Sequence, residues 1–473
     1  MSDNAAQAAG DKLDPRLLKT SLILVFGMLA PALNLTMVNI AIHSIAGDLH
    51  SSLSVVQWVI TGFALIMGIA VPFSGWAFNR FGGKRVYLFS LALFLVGSVF
   101  SALAWNVETL IAFRLIQGVG AGLLMPTMQT MIVQSADGRN LGQVLSIVSV
   151  IAVICPILGP VFGGLILNSL SWRWIFYVNI PLTLIALPLV WWGLPAEKPS
   201  PHRHPIDMIG ILLLSPAFAA LLYGISGVRS QGVSGAVLIS LTAGLLLIMA
   251  FIAYALRTKK TPVIDLRLFK SRNFSISNLL LFISGIVTNG AMLLLPLYYQ
   301  QVRGASDLLT GLWLIPQGVG MLLTRGAIGK LSDRIGARPI VLVSLAVTFI
   351  GTLPFAFAAS ETNAVLLGAA LFIRGAGLGG LAIPIMATAY IGLTKAQIPD
   401  ASTATRILQT IGGAFGSAIL ATVLQHQLSL SAVSPLQTVS NAYNVAFWWS
   451  IGFTALAMIP AFLLPRLEKA KSL

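Results

Sequence analysis

The sequence predicts an all-α polytopic membrane protein of fourteen spans, arranged as two six-helix bundles with two extra central helices. Three observations predict this class: the composition, the length of the apolar runs and the placement of the basic residues. Of the 473 residues, 57% are hydrophobic and only 9% are charged, whereas a soluble domain carries roughly 25% charged residues. A chain with so little charge has nowhere except lipid to place its apolar surface.

The apolar runs are long enough to cross a bilayer. A hydrocarbon core of about 30 Å requires about 20 residues at a helical rise of about 1.5 Å per residue. Such runs recur along the whole chain, and their even number places both termini on one side of the membrane. The predicted spans are 17–42, 55–78, 85–105, 108–132, 140–167, 173–194, 207–227, 234–256, 274–300, 308–328, 339–358, 364–391, 403–426 and 443–465.

The basic residues predict which side that is. The net charge is +15, and the bases concentrate in alternate loops, most densely at 257–272, while the intervening loops hold Arg173, Arg229 and Arg303. Basic loops remain in the cytoplasm, so we expect a plasma-membrane protein with both termini cytoplasmic. The bases do not follow one interleaved face, which disfavours binding to nucleic acid.

The domain organisation follows from two loops that interrupt the apolar pattern. The segment 195–206 is rich in proline and charge, and the segment 257–273 is strongly basic. The predicted parts are a cytoplasmic tail 1–16, a first six-helix bundle 17–194, a linker 195–206, two extra helices 207–256, a basic linker 257–273, a second six-helix bundle 274–465 and a tail 466–473.

An internal repeat relates the two predicted bundles. The loop 75–84 matches the loop 329–338 in the spacing of a glycine, an amide or acid, an arginine, a second glycine and a base. Later in each bundle an arginine, Arg114 or Arg374, lies within a glycine-rich span. Repeated halves with polar residues at the midplane are typical of alternating-access transporters. The paired loop residues are Gly75 and Gly329, Asn79 and Asp333, Arg80 and Arg334, and Gly82 and Gly336.

These motifs resemble those of the major facilitator superfamily. The repeated loop is similar to the superfamily's loop signature, which implies a gate on the cytoplasmic side. Arg114, followed by Gly118 and Gly120, resembles its helix-4 motif, in which the arginine serves proton coupling. The segment 159–164 resembles the antiporter motif, whose Gly-Pro bend and small face permit close helix contact. The residues that carry this last motif are Gly159, Pro160, Gly163 and Gly164.

Three further segments narrow the resemblance. Residues 33–41, 172–181 and 411–416, together with the two extra helices, resemble fourteen-helix drug:proton antiporters of the QacA/EmrB type. This resemblance implies a multidrug exporter that works as a monomer without cofactor or metal, exchanging small hydrophobic or cationic compounds for protons.

The sequence departs from that family at two positions. Asn34 stands where the family has an aspartate inside the first helix, and Asn79 stands where the first loop has one. Natural divergence and deliberate replacement both account for such asparagines. None of the fourteen acids lies in the middle of a predicted span. The remaining candidates for a proton carrier are Asp307, Glu108 and His43, and each is interpreted more simply as a charge at a helix end.

Residues for a substrate cavity are chosen from helices that line the centre of this superfamily. Their aromatic, thioether and amide groups suit large apolar ligands with a few polar anchors, although ordinary helix packing is the favoured interpretation of each one taken singly. The predicted residues are Asn34, Gln57, Trp58, Thr61, Gln117, Met125, Asn289, Tyr298, Trp313, Gln317 and Met386.

Several functions compete for this architecture. A proton-coupled multidrug exporter is the first, and a proton-independent facilitator or exporter of a specific metabolite or lipid-like amphiphile is the second, which the missing carboxylates favour. A sensor or scaffold is disfavoured because no soluble signalling domain is predicted. An enzyme is disfavoured because no nucleotide loop, metal-ligand cluster or nucleophile–base pair is recognisable.

Overall fold

The structure is a computed structural model that describes residues 14–136, 141–195, 207–231, 234–258, 262, 264–305, 307–430 and 436–465. Within these residues the secondary structure is helical, with no strand. Of the predicted tails and linkers, 1–13, 196–206, 259–261, 263 and 466–473 lie outside the described residues.

The first eleven helices cover the first half of the chain. Asp14 begins the series by accepting a hydrogen bond from the Arg16 amide at the first helix N-terminus. The helices are α1 (Pro15–Met37), α2 (Ile42–Asp48), α3 (Leu53–Ala70), α4 (Phe73–Phe81), α5 (Gly83–Ala102), α6 (Val107–Ala136), α7 (Leu141–Ser169), α8 (Trp174–Tyr177), α9 (Asn179–Gly193), α10 (Met208–Gln231) and α11 (Gly235–Arg257).

The second half begins with a short 3-10 helix, Leu266–Lys270, and a second one, Leu353–Phe357, follows α14. The helices are α12 (Arg272–Gln301), α13 (Asp307–Ile335), α14 (Ala337–Thr352), α15 (Ala364–Gly379), α16 (Ala382–Ala389), α17 (Ile398–Leu430) and α18 (Leu436–Phe462).

Ten helices of the described chain are long and apolar enough to cross a membrane, and the number is eleven if α3 and α4 form one bent span. The bend is 52° and lies at Pro72, which lacks a backbone N–H for a helical hydrogen bond. The other predicted spans coincide with α7, α10 and α13. Helix α13 does not meet the same criterion, and the side chains of α7 and α10 are described only in part, with Met208–Leu221 of α10 forming a shorter apolar helix. Fourteen spans therefore remain a prediction.

The helices pack as two sets. In the first set α1 packs against α7 and α9, and α6 packs against α3 and α5. In the second set α12 packs against α17 and α18, and α15 packs against α13 and α14. The sets meet where α7 packs against α13, and α10 contacts both α3 and α17.

The repeated loop has the same backbone geometry in both sets. Gly82 separates α4 from α5 and Gly336 separates α13 from α14, each with φ of 86°. A side chain at that φ is strained, so glycine is required. The two copies of the loop lie at the same end of the two helix sets. We call this end the basic end, because Arg85, Lys330 and Arg338 lie there.

Candidate functional site

Arg114 lies inside the first helix set, with 1% of its surface exposed. Its Nη1 donates to Asn34 Oδ1 at 2.5 Å and to Gln117 Oε1 at 2.6 Å, and its Nε donates to the Val59 carbonyl at 3.1 Å. The guanidinium lies 3.9 Å above the centre of the Phe63 ring. A charge that is costly to bury in a membrane protein is thus held by neutral oxygens and a π face.

Arg374 occupies the corresponding position in the second set and is also 1% exposed. Its Nη1 donates to Gln317 Oε1 at 2.8 Å, its Nε to Thr352 Oγ1 at 3.2 Å, and its Nη2 to the Val287 carbonyl at 3.4 Å. Each of these acceptors lies on a different helix, α13, α14 or α12.

The two arginine clusters therefore follow one plan. Arg114 on α6 reaches α1 and α3 directly, and reaches α5 through Gln117, whose Nε2 donates to Ser98 Oγ at 2.7 Å. Each arginine thereby ties together four helices of its own set. In the first cluster, the Asn34 Nδ2 is buried without a hydrogen-bond partner among the described residues, as expected where an amide replaces a two-oxygen acceptor.

A cavity of about 770 Å³ lies between the two sets. Helices α3 and α6 line one side, and α12, α13 and α17 line the other. Most of the lining is apolar or thioether, and hydroxyls and amides interrupt it at intervals. This size and this mixture suit a drug-sized ligand with a large apolar surface. The methionines and amides of the lining are Met67, Met125, Met292, Met321, Asn289, Gln300 and Gln409.

Of the predicted cavity residues, Met125 and Asn289 line this cavity. Asn34, Gln117 and Gln317 belong instead to the arginine clusters. The others lie away from the lining: Gln57 and Trp58 are exposed, Thr61 and Met386 are half-buried, and Tyr298 and Trp313 belong to aromatic clusters.

Aromatic packing accounts for three of these. Trp58 stacks on Tyr223 of α10, with 6.1 Å between ring centres. The Tyr298 ring is fully buried, and its hydroxyl donates to the Ala359 carbonyl at 3.1 Å. Trp313 lies 5.1 Å from the Tyr299 ring. These side chains join helices to one another.

Two cavity residues escape the sequence analysis: Arg325 of α13 and Arg406 of α17. Arg325 is only 7% exposed, and Arg406 Nη1 donates to Gln409 Oε1 at 3.3 Å. The signal was present, because both lie within predicted spans, 308–328 and 403–426, where a charge marks a functional position by default.

At the basic end, Asp333 of α13 joins the second helix set to α7 of the first set. Its two carboxylate oxygens accept the backbone N–H of Gly142 at 3.1 Å and of Gln143 at 3.2 Å, at the N-terminus of α7. Anions are stabilised at such a terminus by unpaired N–H groups and the helix dipole. Gly329 makes this possible, because a Cβ there would lie 2.6 Å from the Gly142 carbonyl oxygen.

The first copy of the loop makes a related contact with α17. Ser74 and Thr403 share a hydrogen bond of 3.1 Å. Gly75 faces the start of α17, where an added Cβ would lie 3.2 Å from Asp400 Oδ1. Asn79 is half-buried one turn further along α4. The acid at the N-terminus of α17 is thus Asp400 of the same helix, whereas the acid at the N-terminus of α7 comes from the opposite set.

Two more hydrogen bonds join the sets at this end. Gln129 of α6 donates to the Tyr390 hydroxyl, and Gln134 Nε2 donates to the Lys395 carbonyl at 2.8 Å. The predicted Arg80 and Arg334 are exposed nearby. The structure therefore describes a conformation in which the basic end is closed.

At the opposite end, Asp48 fastens the first set. It accepts Trp172 Nε1 at 2.9 Å and Arg173 Nη1 at 2.6 Å, and Arg173 Nη2 also donates to the Ala104 carbonyl at 3.2 Å. These hydrogen bonds, from Trp172 first and Arg173 second, lower the pKa of the Asp48 carboxyl below its ordinary value. The first two residues of the motif 172–181 thus hydrogen-bond to Asp48 and join helices of the first set.

The antiporter-like segment lies where α7 meets α1. A Cβ on Gly159 would lie 1.8 Å from Thr36 Oγ1, and one on Gly163 would lie 3.4 Å from Met37. A Cβ on Gly164 would meet nothing within 4 Å. The side chain of Pro160 lies outside the described residues.

The predicted proton carriers lie at helix ends. Glu108 is exposed in the first turn of α6, where a negative charge complements the helix dipole. The side chains of Asp307 and His43 lie outside the described residues. Every acid within the described residues lies in a connection or within three residues of a helix end.

Comparison with known proteins assigns the family. The protein-family model described as Major Facilitator Superfamily matches residues 24–417 of this chain. The multidrug resistance protein B homolog of Mycobacterium tuberculosis is 33% identical, over 96% of this chain and 91% of that protein. The multidrug export protein EmrB of Haemophilus influenzae is 31% identical, over 90% and 84%. A solved double-tryptophan mutant of XylE, 16% identical, has a TM-score of 0.68 over 96% of this chain and 97% of that one. The chain thus belongs to the Major Facilitator Superfamily, where EmrB-type multidrug exporters are among its relatives.

Proposed function

We propose that this protein is a secondary active exporter of small hydrophobic compounds that works by alternating access in the plasma membrane. One observation carries the proposal: a drug-sized cavity lies between two helix sets that hydrogen bonds join at the basic end. Relatives named multidrug resistance and multidrug export proteins support the substrate class.

In this proposal the basic end faces the cytoplasm, as do both termini, and fourteen spans form two six-helix bundles and two extra helices. The Asp333, Ser74–Thr403 and Gln129–Tyr390 contacts form the cytoplasmic gate. Breaking them opens the cavity to the cytoplasm. The Arg114 and Arg374 clusters keep each bundle rigid while the bundles rock against each other.

Proton coupling divides two candidate mechanisms. In an antiporter, a group in the transport path must bind a proton on one side and release it on the other. The proton-independent mechanism is favoured by Asn34, which cannot titrate, and by the position of the described acids at helix ends.

The test is transport by the full-length chain reconstituted in liposomes. Anionic, neutral and cationic probes are compared, and we expect outward movement of at least one of them that exceeds its movement from protein-free liposomes. A pH-sensitive dye trapped inside reports substrate-stimulated proton flux, measured beside Asn34→Asp. If no probe of any charge moves, the exporter proposal is wrong. If proton flux accompanies each transported substrate in the unaltered chain, the proton-independent mechanism is wrong.

A further inference from the structure

The cavity between the helix sets carries charge of one sign. Arg325 and Arg406 line it, and the lining includes no acidic residue among the described positions. Both arginines belong to the second set, on α13 and α17. A cationic compound entering this space would meet like charge, which disfavours binding in the low dielectric of a membrane-protein interior.

Arg325 and Arg406 differ from Arg114 and Arg374 in position. Arg114 and Arg374 lie outside the cavity lining, and their guanidinium groups are held by acceptors on neighbouring helices of their own sets. Arg406 instead donates to Gln409, a neutral amide of the same lining. Arg325 and Arg406 line the cavity, where a substrate would bind, and Arg114 and Arg374 do not.

The guanidinium group selects for the chemistry of its ligand. Its planar donors match a carboxylate or sulfonate, and this charge-assisted pairing is stronger than a neutral hydrogen bond. The rest of the lining includes Met67, Met125, Met292 and Met321, flexible thioether side chains that adapt to apolar bodies of different shape. The cavity therefore offers an anion site beside an apolar site.

We propose that the substrates are amphipathic organic anions, in which one carboxylate or sulfonate is attached to an apolar body, and that Arg325 and Arg406 bind the charged group. This inference rests on the proposed export function and narrows its substrate class. It also reverses the cationic preference that the family resemblance implies.

Export of anions would also explain why the described acids lie at helix ends. Export of a monoanion from a cell with a negative interior is driven by the membrane potential, by a factor of about 50 at 100 mV. An anion exporter therefore needs no proton to enter in exchange. The positions of the described acids at helix ends agree with this requirement.

The binding test uses two probes that share one ring system. 8-Anilino-1-naphthalenesulfonate is anionic, and N-phenyl-1-naphthylamine is the same body without the sulfonate. We expect Arg325→Gln and Arg406→Gln to weaken binding of the sulfonate by about tenfold to a hundredfold, with less than about a threefold change for the neutral probe. Arg325→Lys and Arg406→Lys should keep most of the affinity, because they keep the charge. Arg272→Gln is the matched control, since Arg272 is exposed outside the cavity. Equal losses for both probes would overturn the assignment of these arginines.

The transport test uses the unaltered chain, so it does not depend on how the variants fold. A valinomycin potassium potential is imposed on probe-loaded liposomes of neutral lipid, without a pH gradient. We expect the anionic probe to leave faster as the compartment holding it becomes more negative, and ethidium to be transported poorly. Export of ethidium or the neutral probe with exclusion of the sulfonate would overturn the anion proposal while leaving the exporter intact. No transport of any probe would instead overturn the exporter. If phosphatidylglycerol in the liposomes abolishes binding of the sulfonate, the occupant is an anionic lipid and the organic-anion proposal is wrong.

Discussion

Replacing Asp333 with asparagine should open the basic end. The carboxylate accepts two backbone N–H groups at the N-terminus of α7, at 3.1 and 3.2 Å. Hydrogen bonds to a charged group contribute about 1.5–3 kcal/mol each, and neutral ones about 0.5–1.5 kcal/mol. Asp333→Asn keeps one neutral acceptor and loses the charge. Because the side chain is only half-buried, we take the lower end, a loss of about 1–2 kcal/mol, or a factor of about 5–30 in the open/closed ratio.

This ratio can be measured by distances between spin labels. The single cysteine, Cys155, is buried, so Cys155→Ser gives a background for labels at Arg85→Cys and Lys330→Cys. These positions are exposed and lie on opposite helix sets at the basic end. We expect Asp333→Asn to increase the population with the longer distance. Glu361→Gln, which removes an exposed acid elsewhere, is the matched control.

The reasoning is refuted if Asp333→Asn and Glu361→Gln give the same distance distribution as the parent. In that case the two hydrogen bonds would accompany closure without stabilising it. A shift towards the shorter distance would be worse for the argument, because it would mean that the carboxylate opposes closure.

Three further perturbations test the same structure. Gly329→Ala should open the basic end by at least as much as Asp333→Asn, because the new Cβ would lie 2.6 Å from the Gly142 carbonyl oxygen, which cannot rotate away. The spin labels at positions 85 and 330 measure this opening, and an unchanged distance would contradict the prediction. Arg114→Lys should destabilise the detergent-purified protein by about 2–3 kcal/mol, because an ammonium cannot reach all the guanidinium's acceptors; thermal unfolding beside Arg272→Gln measures this loss. Asn79→Asp should also open the basic end, because it adds a second carboxylate near the start of α17. Combining it with Asp400→Asn should restore the closed distance. If the distance changes caused by the two substitutions simply add, the two residues do not interact.

The helices and the repeat could be predicted because their signals are local. Apolar length and loop charge predict helices, and the matched spacing around Gly82 and Gly336 predicted a repeated turn that the structure contains in both copies. The position of Arg114 inside its helix set follows from the cost of placing a charge in lipid. These inferences need no knowledge of how one helix rotates against another.

The residues that line the cavity depend on how each helix is rotated about its own axis, so they were predicted less accurately than the helices. A helix that is apolar all round carries little signal for which face meets a cavity. Met125 and Asn289 do face it, whereas Tyr298 faces an aromatic cluster with Phe355 and Tyr443. The rotation of each helix depends on contacts with distant parts of the chain, such as Tyr298 donating to Ala359.

The two asparagines that depart from the family pattern have different physical settings. Two helix N-termini that face the opposite set at the basic end have an acid nearby: α7 has Asp333 of the opposite set, and α17 has its own Asp400. Asn79 lies one turn beyond Gly75, which faces Asp400, so an aspartate at position 79 would bring a second carboxylate towards the start of α17. Asn34 has no such substitute, because its Oδ1 contacts the buried Arg114 and its Nδ2 has no partner among the described residues. Arg114 therefore has no carboxylate among its described hydrogen-bond partners. A buried arginine whose described acceptors do not titrate agrees with the proposed proton-independent mechanism.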